Sequence, residues 1–325
     1  MNRRQILKVS AATVIAMTAF GSTGSQAVAQ EDWPTRSITF VVPFSPGGSN
    51  DVIARFLAQD LTELLGQPVV IENRAGSGGS IGAAYVASVE PDGYTFLFTS
   101  ASIATNSAFQ EVPFDLATDL VPVSRVGTSP YIVVSRDGLG ATSISEFADV
   151  ARAAPGELSY GTAGVGDSAH FLTELFSRAA GIEMVMIPYP GAADAQVDLA
   201  AGRVDVVFTT IATLTGSVAE NLPRLAFTSP ERVPSYPEIP TILESGIDFS
   251  FEHWWGVLAP AGMDPEILNE MNAAIVEAIQ SDRFEEFLNG IGGQVAPSTP
   301  EELSEIMLRE YGNWQEIVAE LGMRN

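Results

Sequence analysis

An α/β fold in two lobes, each a mixed or parallel sheet flanked by helices, is predicted by three observations. Short apolar β-rich runs alternate with helical patterns after residue 36. Two glycine-rich turns, at residues 43–51 and 161–168, each lead from an apolar strand into a helix about a domain apart. No repeat, low-complexity tract or disordered linker parts the halves, which favours lobes joined by strands. At 325 residues and 46% hydrophobic, the chain is long enough to bury substantial cores.

The first segment is set aside from the fold. Arg3, Arg4 and Lys8 make a basic start, an apolar stretch runs from Val9 to about Phe20, and small residues end at Ala27, Val28 and Ala29. The paired arginines resemble a twin-arginine export signal, although a Sec signal tolerates the same start. The apolar run is shorter than the ~20 residues that span a bilayer. Cleavage is expected near Ala29.

Strands are expected at 37–43, 68–72 and 95–99. A helix is expected at 51–65, with Val52, Phe56, Leu57, Leu61 and Leu64 at helical spacing, Asp51 as its N-cap and Gly66 as its C-terminal stop. Strands follow at 131–135, 158–160, 184–187, 204–208 and 225–228. Helices are expected from Ser143, with Glu146 placed for a capping box, and at 168–180 and 192–201. Residues 223–240 are proline-rich and read as an ordered surface connection. The last part is helical, at 265–280, 282–290 and 300–321, with Pro265 and Pro300 in first turns.

Composition excludes several partners. Asp and Glu number 40 against 16 Lys and Arg, so nucleic acid and anionic membrane surfaces are poor partners. Cleavage near Ala29 removes three cations and no anion, leaving 13 Lys and Arg against 40 acids and a formal charge of −27. Lys8 is the only lysine, and an acidic, lysine-free surface fits a salty habitat. Without cysteine there is no disulfide framework, thiol nucleophile or thiolate metal site.

The two turns carry the functional reading. A glycine turn brings backbone N–H groups close to a guest, and the helix start behind it carries a partial positive charge, so a carboxylate or phosphate fits. In the first turn Gly47, Gly48, Ser49 and Asn50 offer N–H groups; the bland alternative is a structural corner. In the second, Thr162 and Ser168 offer hydroxyls, and Gly164 and Gly166 allow close approach. Asp167 is awkward for an anion and reads either as a helix cap or as the partner of a ligand amino group. Residues 73–82 fit neither GxGxxG nor a Walker loop, so no nucleotide cofactor is expected. Arg74 is either a ligand cation or a tie to a nearby carboxylate.

Catalysis has little support. His170 and His253 each stand alone, with no metal-ligand spacing and no Gly-x-Ser-x-Gly elbow. Trp254 and Trp255 are adjacent, and since successive side chains of a strand face opposite sides, at most one indole would reach a cleft there.

Several segments together resemble the Bug-type (tripartite tricarboxylate transporter) periplasmic solute-binding proteins. They are residues 42–51, 72–82, 160–166 with His170, 188–191, 198–205, 237–241 and 255–262, and they cover nearly the whole mature chain. The resemblance implies a type II periplasmic binding protein: one lobe of residues 30–129 and 230–325, a second of 130–229, crossing near 129–132 and 225–229. It implies a small carboxylate held by Phe44, Ser45, Gly47, Gly48, Ser49, Gly78, Ser100, Thr162, Ala163, Gly166, Ser168, Tyr189 and Thr209. Asp167 and Trp254 join that set as distal-pocket candidates, beside Ala192, Asp194 and Trp255. Asp167 replaces the family's usual Ser or Thr, and Ala192, Ala193 and Asp194 replace a proline-containing stretch, which leaves room for an amino-bearing or aromatic carboxylate. The implied protein is a periplasmic monomer delivering its ligand to membrane permease subunits, without cofactor or metal. The alternatives are a sensor docking on a histidine kinase and, remotely, an enzyme on the same scaffold.

Overall fold

The computed structural model describes residues 33–322, so the export signal and its expected cleavage lie outside the described residues. The chain begins with β1 (Ile38–Val42), α1 (Ser49–Leu65), β2 (Val69–Asn73), α2 (Ser80–Ser88), β3 (Thr95–Ser100), α3 (Ser102–Phe109) and β4 (Leu120–Pro130). It continues through β5 (Ile132–Ser135), α4 (Ile144–Ala153), β6 (Ser159–Thr162), α5 (Ser168–Ala180) and β7 (Val185–Pro188). Next come α6 (Ala192–Ala200), β8 (Val206–Thr209), the single turn α7 (Ile211–Leu214) and β9 (Arg224–Phe227). The last elements are β10 (Glu252–Pro260), α8 (Pro265–Ile279), α9 (Asp282–Gly290), β11 (Gln294–Val295) and α10 (Pro300–Leu321).

Two mixed sheets result. One has the strand order β11-β4-β10-β3-β1-β2, the other β7-β6-β8-β5-β9. β1 runs parallel to β2 and β3, as helical crossovers require, whereas β10 arrives from the other sheet and runs antiparallel to β3 and β4. In the second sheet β6 is parallel to β7 and β8, and β5 is antiparallel to β8 and β9. The first core gathers Phe40, Ile53, Leu57, Phe96 and Trp255; the second gathers Phe147, Leu172, Phe176 and Phe208. Ile242 and Phe249, beyond the expected border at residue 230, belong to the second core.

Local signals set the helix ends. Thr299 and Glu302 form a complete capping box, and Asp264 caps α8 behind Pro265. The Ser143 hydroxyl accepts from Glu146 N–H, but the Glu146 carboxylate reaches Thr142 N–H at 2.7 Å, so only half of that box forms. The α1 cap is a correction. Gly48 is its N-cap, and Asp51 sits inside the first turn, reaching back to Gly47 N–H at 3.0 Å.

The chain passes between the sheets twice, at Tyr131 after β4 and between β9 and β10, a return that Thr228 opens and Phe251 closes. Thr228 ties these three points together. Its hydroxyl accepts from Tyr131 N–H at 2.9 Å and donates to the Phe251 carbonyl at 2.7 Å. Its N–H donates to the Tyr131 carbonyl, and its own carbonyl accepts from Phe251 N–H.

Candidate functional site

The site begins where β1 ends and α1 starts. Phe44 is buried, and Gly48, Ser49 and Asn50 enter the helix with their backbones against a cavity that the second turn also lines. Two of the four N–H groups expected to face a ligand are already used. Gly47 N–H goes to Asp51, and Ser49 N–H donates to the Thr213 hydroxyl of α7 at 2.9 Å. Among the described residues, no protein acceptor takes the N–H groups of Gly48 and Asn50, and both residues line the cavity. A 17-residue helix stands behind them, and its unsatisfied N-terminal donors are what an anion completes.

Asp51 does not oppose that anion. It pairs with Arg55 at 2.8 Å and accepts from Asn73 Nδ2 at 3.0 Å. Burial pushes its carboxyl up, but the bonds from Arg55, Gly47 N–H and Asn73 more than reverse this and hold it below the usual carboxylate range. Arg74 is a tie, not a ligand cation: it pairs with Glu72 at 2.7 Å and stacks over Tyr85.

The second turn spends its donors internally. Gly164 N–H goes to the Thr162 hydroxyl, Ala163 N–H to Asp167 Oδ2, and Gly166 N–H to His170 Nδ1. Ser168 N–H donates to the Ser102 hydroxyl, which in turn donates to Ser168 Oγ at 3.1 Å. Asp167 caps α5 through His170 N–H at 2.9 Å. Burial pushes its carboxyl up to about 7, against the lowering effect of N–H bonds from His170, Ala169 and Ala163.

Of the fifteen expected site residues, Phe44, Gly48, Ser49, Ser100, Thr162, Ala163, Asp167 and Thr209 line the cavity. Four others stand where the lobes meet. A Cβ on Gly78 would lie 2.5 Å from the Val165 carbonyl oxygen, and one on Gly166 would lie 3.0 Å from Asn106 Nδ2. Gly47 faces Ala193, and Ser45 is met by the Gly191 backbone. At Gly78 glycine is needed so that the two lobes approach backbone to backbone. Ser168 is tied to Ser102 beside the cavity, and the Tyr189 hydroxyl is committed to Asp198 at 2.8 Å. Trp254 lies elsewhere: its indole donates to Glu310 of α10 at 2.8 Å.

Sequence reasoning missed Asn50 as a side chain, and it did not place Ser102, Tyr131, Thr210, Thr213 or His253 at the site; all line the cavity. One signal was available for His253. Residues two apart on a strand share a face, so His253 goes with Trp255 and not with Trp254. Their rings meet edge to face at 5.2 Å, and the Trp255 indole donates to Ser49 Oγ at 3.3 Å. Burial pushes His253 down to about 3, which keeps it neutral, and its Nδ1 lies 3.3 Å from the Tyr131 hydroxyl. His170 is a packed residue whose ring meets Phe109 edge to face.

Two mixed sheets enclosing a cavity walled by two helix starts define the class, a two-lobed solute-binding protein. The comparisons with known proteins agree. The model of the tripartite tricarboxylate transporter family receptor matches residues 53–323. The protein BugT of Bordetella pertussis is 38% identical over 302 residues, spanning 91% of this chain and 93% of that one. The solved periplasmic binding protein BugD superposes with a TM-score of 0.86 at 30% identity, and R. palustris Rpa4515 with adipate with a TM-score of 0.86 at 34%. Each covers 90% of this chain and 99% of its own. The chain belongs to the tripartite tricarboxylate transporter receptor family, whose members are receptors and not enzymes.

Proposed function

We propose that this protein captures a small organic carboxylate between its lobes in the periplasm and hands it to the membrane subunits of a tripartite transporter. The observation that carries this reading is the pair of uncommitted N–H groups, Gly48 and Asn50, at the start of α1 on a buried cavity wall. The adipate held by Rpa4515 is a ligand of this kind. Among the described residues no Lys or Arg lines the cavity, so backbone donors and hydroxyls do the holding. His253 and Tyr131 pack the wall and take no part in bond chemistry.

The lobes are cored by the two sheets and hinge at Tyr131, Thr228 and Phe251. One lobe runs from Trp33 to Pro130 and resumes at Glu252; the other is built on residues 131–228, and residues 233–239 return to lie along α9 of the first. Ligand closes the lobes because the closed form alone surrounds it, and expelling water strengthens each N–H contact. The cavity is built from one chain, so a monomer suffices.

A thermal-shift series on the purified protein tests the reading. Adipate, malate, succinate, L-alanine and L-aspartate are compared with the amides that replace each carboxylate. A ligand at 100 times its Kd adds about 2.7 kcal/mol of stability. A melting point raised by an acid and not by its amide is the expected result; equal behaviour, or no shift with any acid, overturns it.

A further inference from the structure

The cavity contains acceptors that a simple carboxylate leaves unused. Asp167 lines it at 3% exposure, and it is the only charged side chain among the described lining residues. Its Oδ1 takes His170 N–H and its Oδ2 takes Ala163 N–H, so each oxygen retains capacity for a further donor. No described arginine pairs with it, whereas Asp51, at the other turn, is paired by Arg55. The second observation is independent. Asn50, on the other lobe, lines the same cavity at 7% exposure, and its Oδ1 has no hydrogen-bond partner among the described residues. Buried acceptors of this kind are normally satisfied, and an orphan calls for an explanation.

We infer that the ligand carries, beside its carboxylate, an ammonium nitrogen that donates to Asp167 and to Asn50 Oδ1 across the closed lobes. The inference rests on the carboxylate reading above and sharpens it to a zwitterionic acid. The division of labour is then complete. Gly48 and Asn50 N–H hold the anion, and Asp167 with Asn50 Oδ1 holds the cation. A zwitterion adds no net charge to a site that lacks lysine and arginine, which spares the cost of burying an unpaired charge. A dicarboxylate would instead set a second anion against a buried carboxyl.

Two matched series test this by calorimetry at pH 8: L-alanine, L-lactate and propionate, and L-aspartate, L-malate and succinate. Within each, only the C2 substituent changes, from ammonium to hydroxyl to hydrogen. The amino member of at least one series is expected to bind at least about tenfold tighter than its partners, and D167N to erase most of that preference. A second readout needs no variant. In phosphate and Tris at pH 7, binding of the amino member is expected to release protons from Asp167, because an adjacent cation favours the ionised form. If the hydroxyl or hydrogen member binds as tightly as the amino member in both series, or if binding takes up protons, the inference fails while the carboxylate reading stands. If no member binds, both fail.

Discussion

The two glycine turns look alike in sequence and do opposite things. Each follows a strand, starts a helix and contains one aspartate, yet the first exports donors and the second consumes them. At the first turn Asp51 turns away to Arg55 and Asn73, leaving the Gly48 and Asn50 N–H groups uncommitted. At the second, the N–H groups of Ala163, Gly164, Gly166 and Ser168 all find protein acceptors, and Asp167 has no cation. A motif therefore fixes backbone shape, while the side chains around it decide whether that shape presents positive or negative character.

The largest break in this comparison comes from the second turn. Gly164 has φ +127°, and a Cβ there would lie 2.7 Å from Gly78 N and 2.9 Å from Gly78 Cα on the other lobe. Both are backbone atoms and have little room to yield. Gly164→Ala is expected to hold the lobes apart and weaken carboxylate binding at least about a hundredfold, since affinity falls with the fraction of closed protein. Small-angle scattering would show a larger radius of gyration than wild type in saturating ligand. An unchanged radius and affinity would remove Gly164 from lobe closure.

Asp51→Ala acts next, on stability. It strips the Gly47 and Asn73 donors of a buried charged acceptor and unpairs Arg55, for an expected loss of about 2–3 kcal/mol by urea unfolding at pH 7. Because the folded carboxyl lies below its unfolded value, this stabilisation is present above about pH 4 and fades as pH falls through the folded value. Variant and wild type should therefore converge in acid. A gap that persists undiminished at pH 2 would assign the loss to packing alone.

Asp167 carries the opposite sign. Its folded carboxyl titrates near 7 against an unfolded value of 3.8, so its contribution is most favourable below pH 4 and is lost as pH rises towards 7. The change across that window is about 4 kcal/mol, at 1.36 kcal/mol per pH unit. Asp167→Asn keeps an oxygen for the cap and removes the buried charge. Its melting point is expected to exceed that of wild type at pH 8, with the advantage shrinking towards pH 4. A variant less stable than wild type at pH 8 would show that the ionised cap is worth more than its desolvation.

Much of this was legible in the sequence. Helices Ser168–Ala180, Asp282–Gly290 and Pro300–Leu321 were readable to the residue because a capping side chain marked each start, apolar spacing the body and a glycine each end. β4 and β10 were not, because Pro122, Ser124 and Gly127 interrupt one and the paired tryptophans obscure the alternation of the other. The glycine turns were legible as close-approach points, but not what they approach. Gly78 and Gly166 meet the opposite lobe, a relation that depends on how the sheets sit together and leaves no local trace. The same holds for Tyr131 and His253, which reach the cavity only because the crossing strands pass behind it.

Gly48 sharpens the comparison with the smallest change. Its φ is −74°, which any residue adopts, and a Cβ would meet only the Ser45 carbonyl at an ordinary 3.7 Å. Replacing an N-cap glycine by alanine costs a few tenths to about 1 kcal/mol, so Gly48→Ala should fold with nearly the wild-type melting point. The methyl would stand beside the uncommitted Gly48 N–H on the cavity wall. Carboxylate affinity is therefore expected to fall by about three- to tenfold, while scattering still shows ligand-induced closure. Closure with full affinity would mean that the anion lies along α1 nearer Asn50. Loss of closure would move Gly48 from the ligand wall into the lobe contact, erasing the distinction drawn between the two turns.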